Sequence, residues 1–253
     1  MSRRAWLHAI GVLVAAAAAT VFFAAPGLAQ ELSIDLGSEG SLTERVLQLV
    51  ALLTVLSLAP SILIMTTSFV RIVVVLSLLR TAIGLQQSPP NTVLVSLALF
   101  LTAFIMAPVF TQSYQEGIRP LLNGEIETSE AFQRSAQPVK MFMLDHTRED
   151  DLSLFFDIAN IEPETPEATP VHVVAPAFMI SELRRAFEIG FLLFIPFLII
   201  DLVVASILMS MGMMMLPPII ISLPFKLIFF VLIDGWRLVA GSLVQSFQAG
   251  GGG

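Results

Sequence analysis

The sequence predicts an all-α membrane protein, built as two broken helical hairpins with a small helical external (periplasmic) domain between them. Three observations carry this. Of 253 residues, 56% are hydrophobic and 13% charged, and the mean hydropathy is +0.85; soluble domains carry about 25% charged residues, and a soluble monomer could not hide this much apolar surface. Uncharged apolar runs reach the ~20 residues that a helix needs to cross a bilayer. Most of the acid is gathered in one segment, residues 111–185, which holds 13 acidic and 6 basic side chains.

The same arithmetic excludes whole classes. Disorder requires low hydrophobicity and high charge. With no Cys there is no disulfide framework, thiolate nucleophile or cysteine zinc site. A net charge of -7 speaks against nucleic acid, since phosphate binding requires clustered Lys and Arg.

Residues 1–29 follow the plan of a cleavable signal peptide. Arg3 and Arg4 open it, an apolar run extends from Ala9 to Ala25, and Gly27-Leu28-Ala29 places small residues where a signal peptidase reads. Cleavage falls between Ala29 and Gln30; an uncleaved first membrane helix is the alternative. Ser2-Arg3-Arg4 also hints at a twin-arginine signal, which the hydrophobic spans downstream argue against.

Residues 30–45 form a short acidic segment, with Glu31, Asp35, Glu39 and Glu44 against Arg45, and read as external. The first hairpin, 46–110, contains a span at Val46–Val70 and another at Thr92–Phe110. Its connection carries Arg71 and Arg80 without an acid and reads as cytoplasmic. The turn cluster Gln86-Gln87-Ser88-Pro89-Pro90-Asn91 separates the two spans.

In the acidic domain, 111–185, Ser129 is placed to cap a helix beginning at Glu130, and Pro138 suits the first turn of a second helix. Phe132, Val139, Phe142, Leu152, Phe155 and Phe156 supply a modest core, and residues 162–170 read as a proline-rich linker. The second hairpin, 186–244, contains spans at Ile189–Met209 and Leu216–Ile233. Residues 245–253 read as a flexible Gly-rich tail.

Two features do not suit lipid-facing helices. Asp201 lies mid-span, Lys226 falls near the middle of the fourth run, and Asp234 and Arg237 follow it; a charge at a helix centre costs about 2.5–3.5 kcal/mol on insertion scales. Prolines at 60, 108, 196, 217, 218 and 224 add breaks whose freed carbonyls need other partners. The charges either neutralise one another, Lys226 with Asp201 and Asp234 with Arg237 at i,i+3, or mark helices packed in a protein assembly.

The other feature is methionine. Met209, Met211, Met213, Met214 and Met215 fall within seven residues, interrupted by Ser210 and Gly212 and ended by Pro217-Pro218. Met is unbranched and polarizable, so such a cluster is either gap filling at a tight bend or a deformable apolar surface that seals around partners.

Three stretches resemble the FliP family of flagellar biosynthetic proteins, membrane components of the type III secretion export gate. They are Leu58–Leu76 followed by Gln86–Asn91, then Pro176–Leu183 continuing through Ala186–Phe191. The third joins Asp201, Met211-Gly212-Met213-Met214-Met215, Pro217-Pro218, Leu223-Pro224-Phe225-Lys226-Leu227 and Asp234-Gly235-Trp236. The resemblance implies a homo-oligomer, five copies in the family's gate, joined with FliQ and FliR into a pore for unfolded flagellar export substrates. It implies residence in the bacterial inner membrane at the flagellar basal body, with helices largely above the plane that hydropathy assigns. By the same resemblance Met211, Met213, Met214 and Met215, with Met209 at its edge, map onto a gasket that closes the channel. On the cost of charge in apolar spans, Asp201, Lys226, Asp234 and Arg237 are expected as buried charges for assembly.

Rival readings are an injectisome gate homologue, a small multi-spanning solute transporter and an intramembrane enzyme. No Gly-x-Ser-x-Gly elbow, His-Glu-x-x-His motif or Walker loop is present, so the expectation is a non-enzyme without cofactor or metal.

Overall fold

The computed structural model describes residues 42–161, 165, 168–213 and 216–248. The expected signal with its cleavage position Ala29/Gln30, residues 30–41, Met214, Met215 and residues 249–253 lie outside the described residues. The chain divides into two units, Met1–Ser57 and Leu58–Gly253. Among the described residues all regular structure is helical, as the composition predicts.

Helix α1, Leu42–Met65, is apolar enough to cross a membrane from Val46, and its described side chains are exposed along that length. The span expected to run on to Val70 stops five residues earlier. The Thr66 hydroxyl donates to the Ile62 carbonyl and that of Thr67 to Ile64, a local competition with the helical ladder.

The chain restarts as α2, Phe69–Ile83, the most enclosed helix of the second unit. Ile72, Val75, Leu76 and Leu79 are all but sealed from solvent against α3, Asn91–Ser113, and α7, Val171–Ser210. Gly84 ends α2 at φ 90°, a conformation open to glycine, and the N–H groups of Gly84 and Leu85 donate to the Thr81 and Arg80 carbonyls. Arg80 Nη1 closes the following turn on Asn91 Oδ1 at 2.6 Å and the Pro89 carbonyl at 3.2 Å.

Helix α3 runs through Pro108 into a π-helical turn, Tyr114–Ile118, and the short α4, Arg119–Leu122. Next come α5, Thr128–His146, and α6, Glu149–Ala159. Three details depart from expectation. Helix α5 begins at Thr128 with no side-chain cap, so Ser129 lies inside it, and Pro138 sits within one continuous helix instead of opening a second. Phe132 is 76% exposed, because its side of α5 points away from α3 and α7. The acidic first turn of α6, Glu149, Asp150 and Asp151, suits the positive end of a helix.

Helix α7 is 40 residues long, about 60 Å at 1.5 Å per residue and twice the thickness of a hydrocarbon core. It passes through Pro176 and Pro196 and joins the expected external segment to the expected third span without a break. After a bend, α8, Pro218–Leu232, leads at 62° into α9, Gly235–Gln248. Residues 245–248 therefore belong to a helix and not to the flexible tail expected from 245. Phe247 is buried there among Arg71, Phe142 and His146.

Candidate functional site

The methionine bend stands on the end of α7. Met209 occupies the last helical turn, Met211 follows it, and Gly212 at φ 72° reverses the chain. The N–H of Gly212 donates to the Met209 carbonyl at 3.1 Å and that of Met213 to the Leu208 carbonyl at 3.0 Å, so the bend consumes carbonyls the helix end leaves free. Met209 is 59% and Met211 64% exposed, and Met213 is half-buried. Pro217 then fixes the entry to α8, where Pro218 occupies the first turn that tolerates it. Behind the bend, Ile200, Val204, Ile207, Ile221 and Phe225 line a wholly apolar cleft of ≈ 310 Å³.

Beneath this lies a charge cluster that ties three helices. Lys226 of α8 is buried and its Nζ donates to Asp201 Oδ2 of α7 at 2.6 Å and to the Ala82 carbonyl of α2 at 3.3 Å. Ser222 Oγ donates to the other Asp201 oxygen at 2.5 Å. Ala82 is in the last turn of α2, so the ammonium also satisfies an orphan helical carbonyl. The two carboxylate oxygens and the ammonium are thus partnered, which makes burial of Lys226 tolerable.

Asp234 and Arg237 do not join this cluster. Both are exposed, and no ion pair links them among the described residues. The i,i+3 pairing expected for them presumes a continuous helix, but Asp234 takes φ 51° at the break between α8 and α9.

A second charge cluster was not singled out from the sequence. Arg71 of α2 and Glu182 of α7 are essentially sealed from solvent. Arg71 Nε donates to Glu182 Oε2 at 2.8 Å and Nη2 donates to Oε1. Nη1 donates to Ser246 Oγ at 3.0 Å, and the guanidinium carbon lies 3.7 Å from the centre of the Phe247 ring. Burial pulls the Arg71 pKa below its ordinary value, against the hydrogen bond and charge of Glu182. The signals available were an Arg three residues past a Thr-Thr-Ser break and a Glu that closes the apolar stretch Pro176–Ile180.

This pair corrects the charge reading. Charge counting assigns Arg71 to a cytoplasmic connection and Glu182 to an external segment, yet the two are bonded, so neither reports a side of a membrane. Near them, Ser181 Oγ donates to the buried Asp151 at 2.7 Å and accepts the Arg148 N–H at 3.0 Å, which fastens α6 to α7. Among the described residues no group of three or more His, Asp or Glu is placed to hold a metal ion.

The comparisons with known proteins agree with one another. The family model of the FliP family matches residues 52–243. The chain is 68% identical over 244 residues to the flagellar biosynthetic protein FliP of Caulobacter vibrioides, covering 96% of this chain and 92% of that one. It is 56% identical to the protein of the same name from Bacillus subtilis, covering 79% and 91%, and 55% identical to that of Aquifex aeolicus, covering 83% and 89%. The matched region contains α2, α7, α8 and the charged residues of both clusters, and the chain belongs to the FliP family.

Proposed function

We propose that the chain is a subunit of the flagellar type III protein export gate. It assembles with copies of itself and with FliQ- and FliR-like proteins into a pore that passes unfolded flagellar subunits. It resides in the bacterial inner membrane at the flagellar basal body and performs no chemistry on its cargo. The relatives' shared name, flagellar biosynthetic protein FliP, supports the setting.

The observation that carries the reading is the bend at Gly212, which holds Met209 and Met211 outward on a turn braced from below by Lys226 and Asp201. Several such bends around one axis make a compliant apolar ring, able to close on itself and yield to chains of varied sequence. The exposed apolar side chains of α7 and α8, such as Phe191, Leu202, Ile219 and Val231, supply surface for sister subunits or lipid.

Native mass measurement of the mature chain, with and without co-expressed FliQ- and FliR-like proteins, tests the proposal. A ring larger than a dimer, extended by the companions, is expected; a monomer or dimer indifferent to them would overturn it in favour of a transporter.

A further inference from the structure

Between α8 and α9 the chain turns at Asp234. This residue takes φ 51°, left-handed and uncommon for a residue with a side chain, and the two helices meet there at 62°. Such a conformation is kept only where its surroundings enforce it, and here they do. The buried Phe230 ring stands edge-on to Trp236 at 5.4 Å, centre to centre, and fills the space that a Cβ on Gly235 would need. The Asp234 N–H donates to the Val231 carbonyl at 3.1 Å, and the Asp234 carbonyl accepts from the Leu238 N–H at 3.1 Å. An elbow fixed in this way presents its outer side chains in one arrangement, which lowers the entropic cost of docking.

The outer side carries two charges of opposite sign. Asp234 and Arg237 are both exposed, and neither makes an ion pair or a side-chain hydrogen bond among the described residues. Their setting is apolar. Val231 is 75%, Leu232 79% and Leu238 54% exposed, and α8 with α9 is apolar enough to form a broken membrane span.

Charges in such a setting call for partners, and the sign pattern says of which kind. An anionic lipid headgroup suits Arg237 and is repelled by Asp234, three residues away. A protein face of one sign fails for the same reason. A second copy of this chain carries the same two charges on the same fixed elbow, and so offers each its opposite.

We infer that the elbow between α8 and α9 is a contact between copies of this chain, in which Asp234 of one copy pairs with Arg237 of the next and the exposed Leu232 and Leu238 pack around the pair. The contact rests on the self-assembly proposed above and names where one junction lies. Unlike positions meet, so the contact runs head to tail and can repeat around a ring.

The test is native mass measurement of the full chain, expressed without companions and extracted in mild detergent. The unsubstituted chain should give a multimer larger than a dimer. Asp234→Arg sets cation against cation at each junction and Arg237→Asp sets anion against anion, so either alone should cut the multimer share about tenfold. Co-expressed, the two variants should assemble again, because each supplies the charge the other lacks; that recovery also shows that both fold. Undiminished assembly of either single variant, the result if the charges face lipid or water, overturns the contact. So does a mixture that fails to recover, including the case in which the double variant Asp234→Arg with Arg237→Asp does assemble, the pattern of a pair within one chain. An unsubstituted chain no larger than a dimer overturns the contact as well, and the gate reading falls with it only if FliQ- and FliR-like companions leave that size unchanged.

Discussion

Arg71 of α2 and Glu182 of α7, 111 positions apart in sequence, meet in a two-point ion pair closed to solvent. The fork geometry satisfies both carboxylate oxygens and leaves the third guanidinium nitrogen for Ser246 of α9. One side chain thereby ties three helices.

Removing one partner leaves the other charge buried and alone. Arg71→Ala or Glu182→Ala should each cost about 3–5 kcal/mol, whereas the paired change to Arg71→Met with Glu182→Met should cost less than either. Thermal unfolding of the full chain in detergent, followed by circular dichroism, reads the order; a single variant with an unchanged midpoint would remove the pair from the support of the fold.

Lys226→Ala leaves Asp201 with Ser222 as its only described side-chain partner and frees the Ala82 carbonyl. The yield of complex with co-expressed companions should fall sharply. Normal yield would argue against a structural role for this cluster.

On the proposed gate reading, replacing Met213, Met214 and Met215 together by Ala should raise passive ion leak through the assembled complex, because the bend loses long deformable side chains. An unchanged leak would dismiss the gasket.

Gly117 lies where α5 crosses the π-helical turn. A Cβ there would stand 2.6 Å from the Ala131 carbonyl oxygen and 2.7 Å from the Ser135 backbone nitrogen, neither of which can rotate aside. Gly117→Ala should destabilise by about 1–3 kcal/mol, visible as a lowered unfolding midpoint; Gly124→Ala, with open space around its Cβ but φ 72°, should cost only the backbone strain. Equal loss in both would contradict the close crossing.

The signal should be cut. Intact mass of the mature chain should begin at Gln30, and a mass including Met1–Ala29 would sink that expectation.

Legibility followed the range of each signal. Apolar runs are local, so the long helices and the charge pair Lys226–Asp201 could be read from composition and depth. The methionine cluster, Gly212 and Pro217-Pro218 likewise located a bend, which is a local event. The Arg71–Glu182 pair could not be read this way, because counting loop charges treats each segment separately and assigns a buried partner the same meaning as a solvated one. Pro138 reads as a helix start because proline rules describe an isolated helix. In the fold, Pro138 is buried within a helix packed along α3 and α7, and tertiary contacts carry it through the missing N–H. Asp234 misled for the opposite reason, since a left-handed residue at a break removes the register on which i,i+3 pairing depends.

The length of α7 has a mechanical meaning. From Ser181, where α6 is fastened, to Ser210, where the bend begins, it is a lever about 44 Å long at 1.5 Å per residue. A tilt of about 5° at the fastened end displaces the far end by about 4 Å, close to the width of a methionine side chain. A small rotation at the fastened end is thus enlarged along the helix before it reaches the bend.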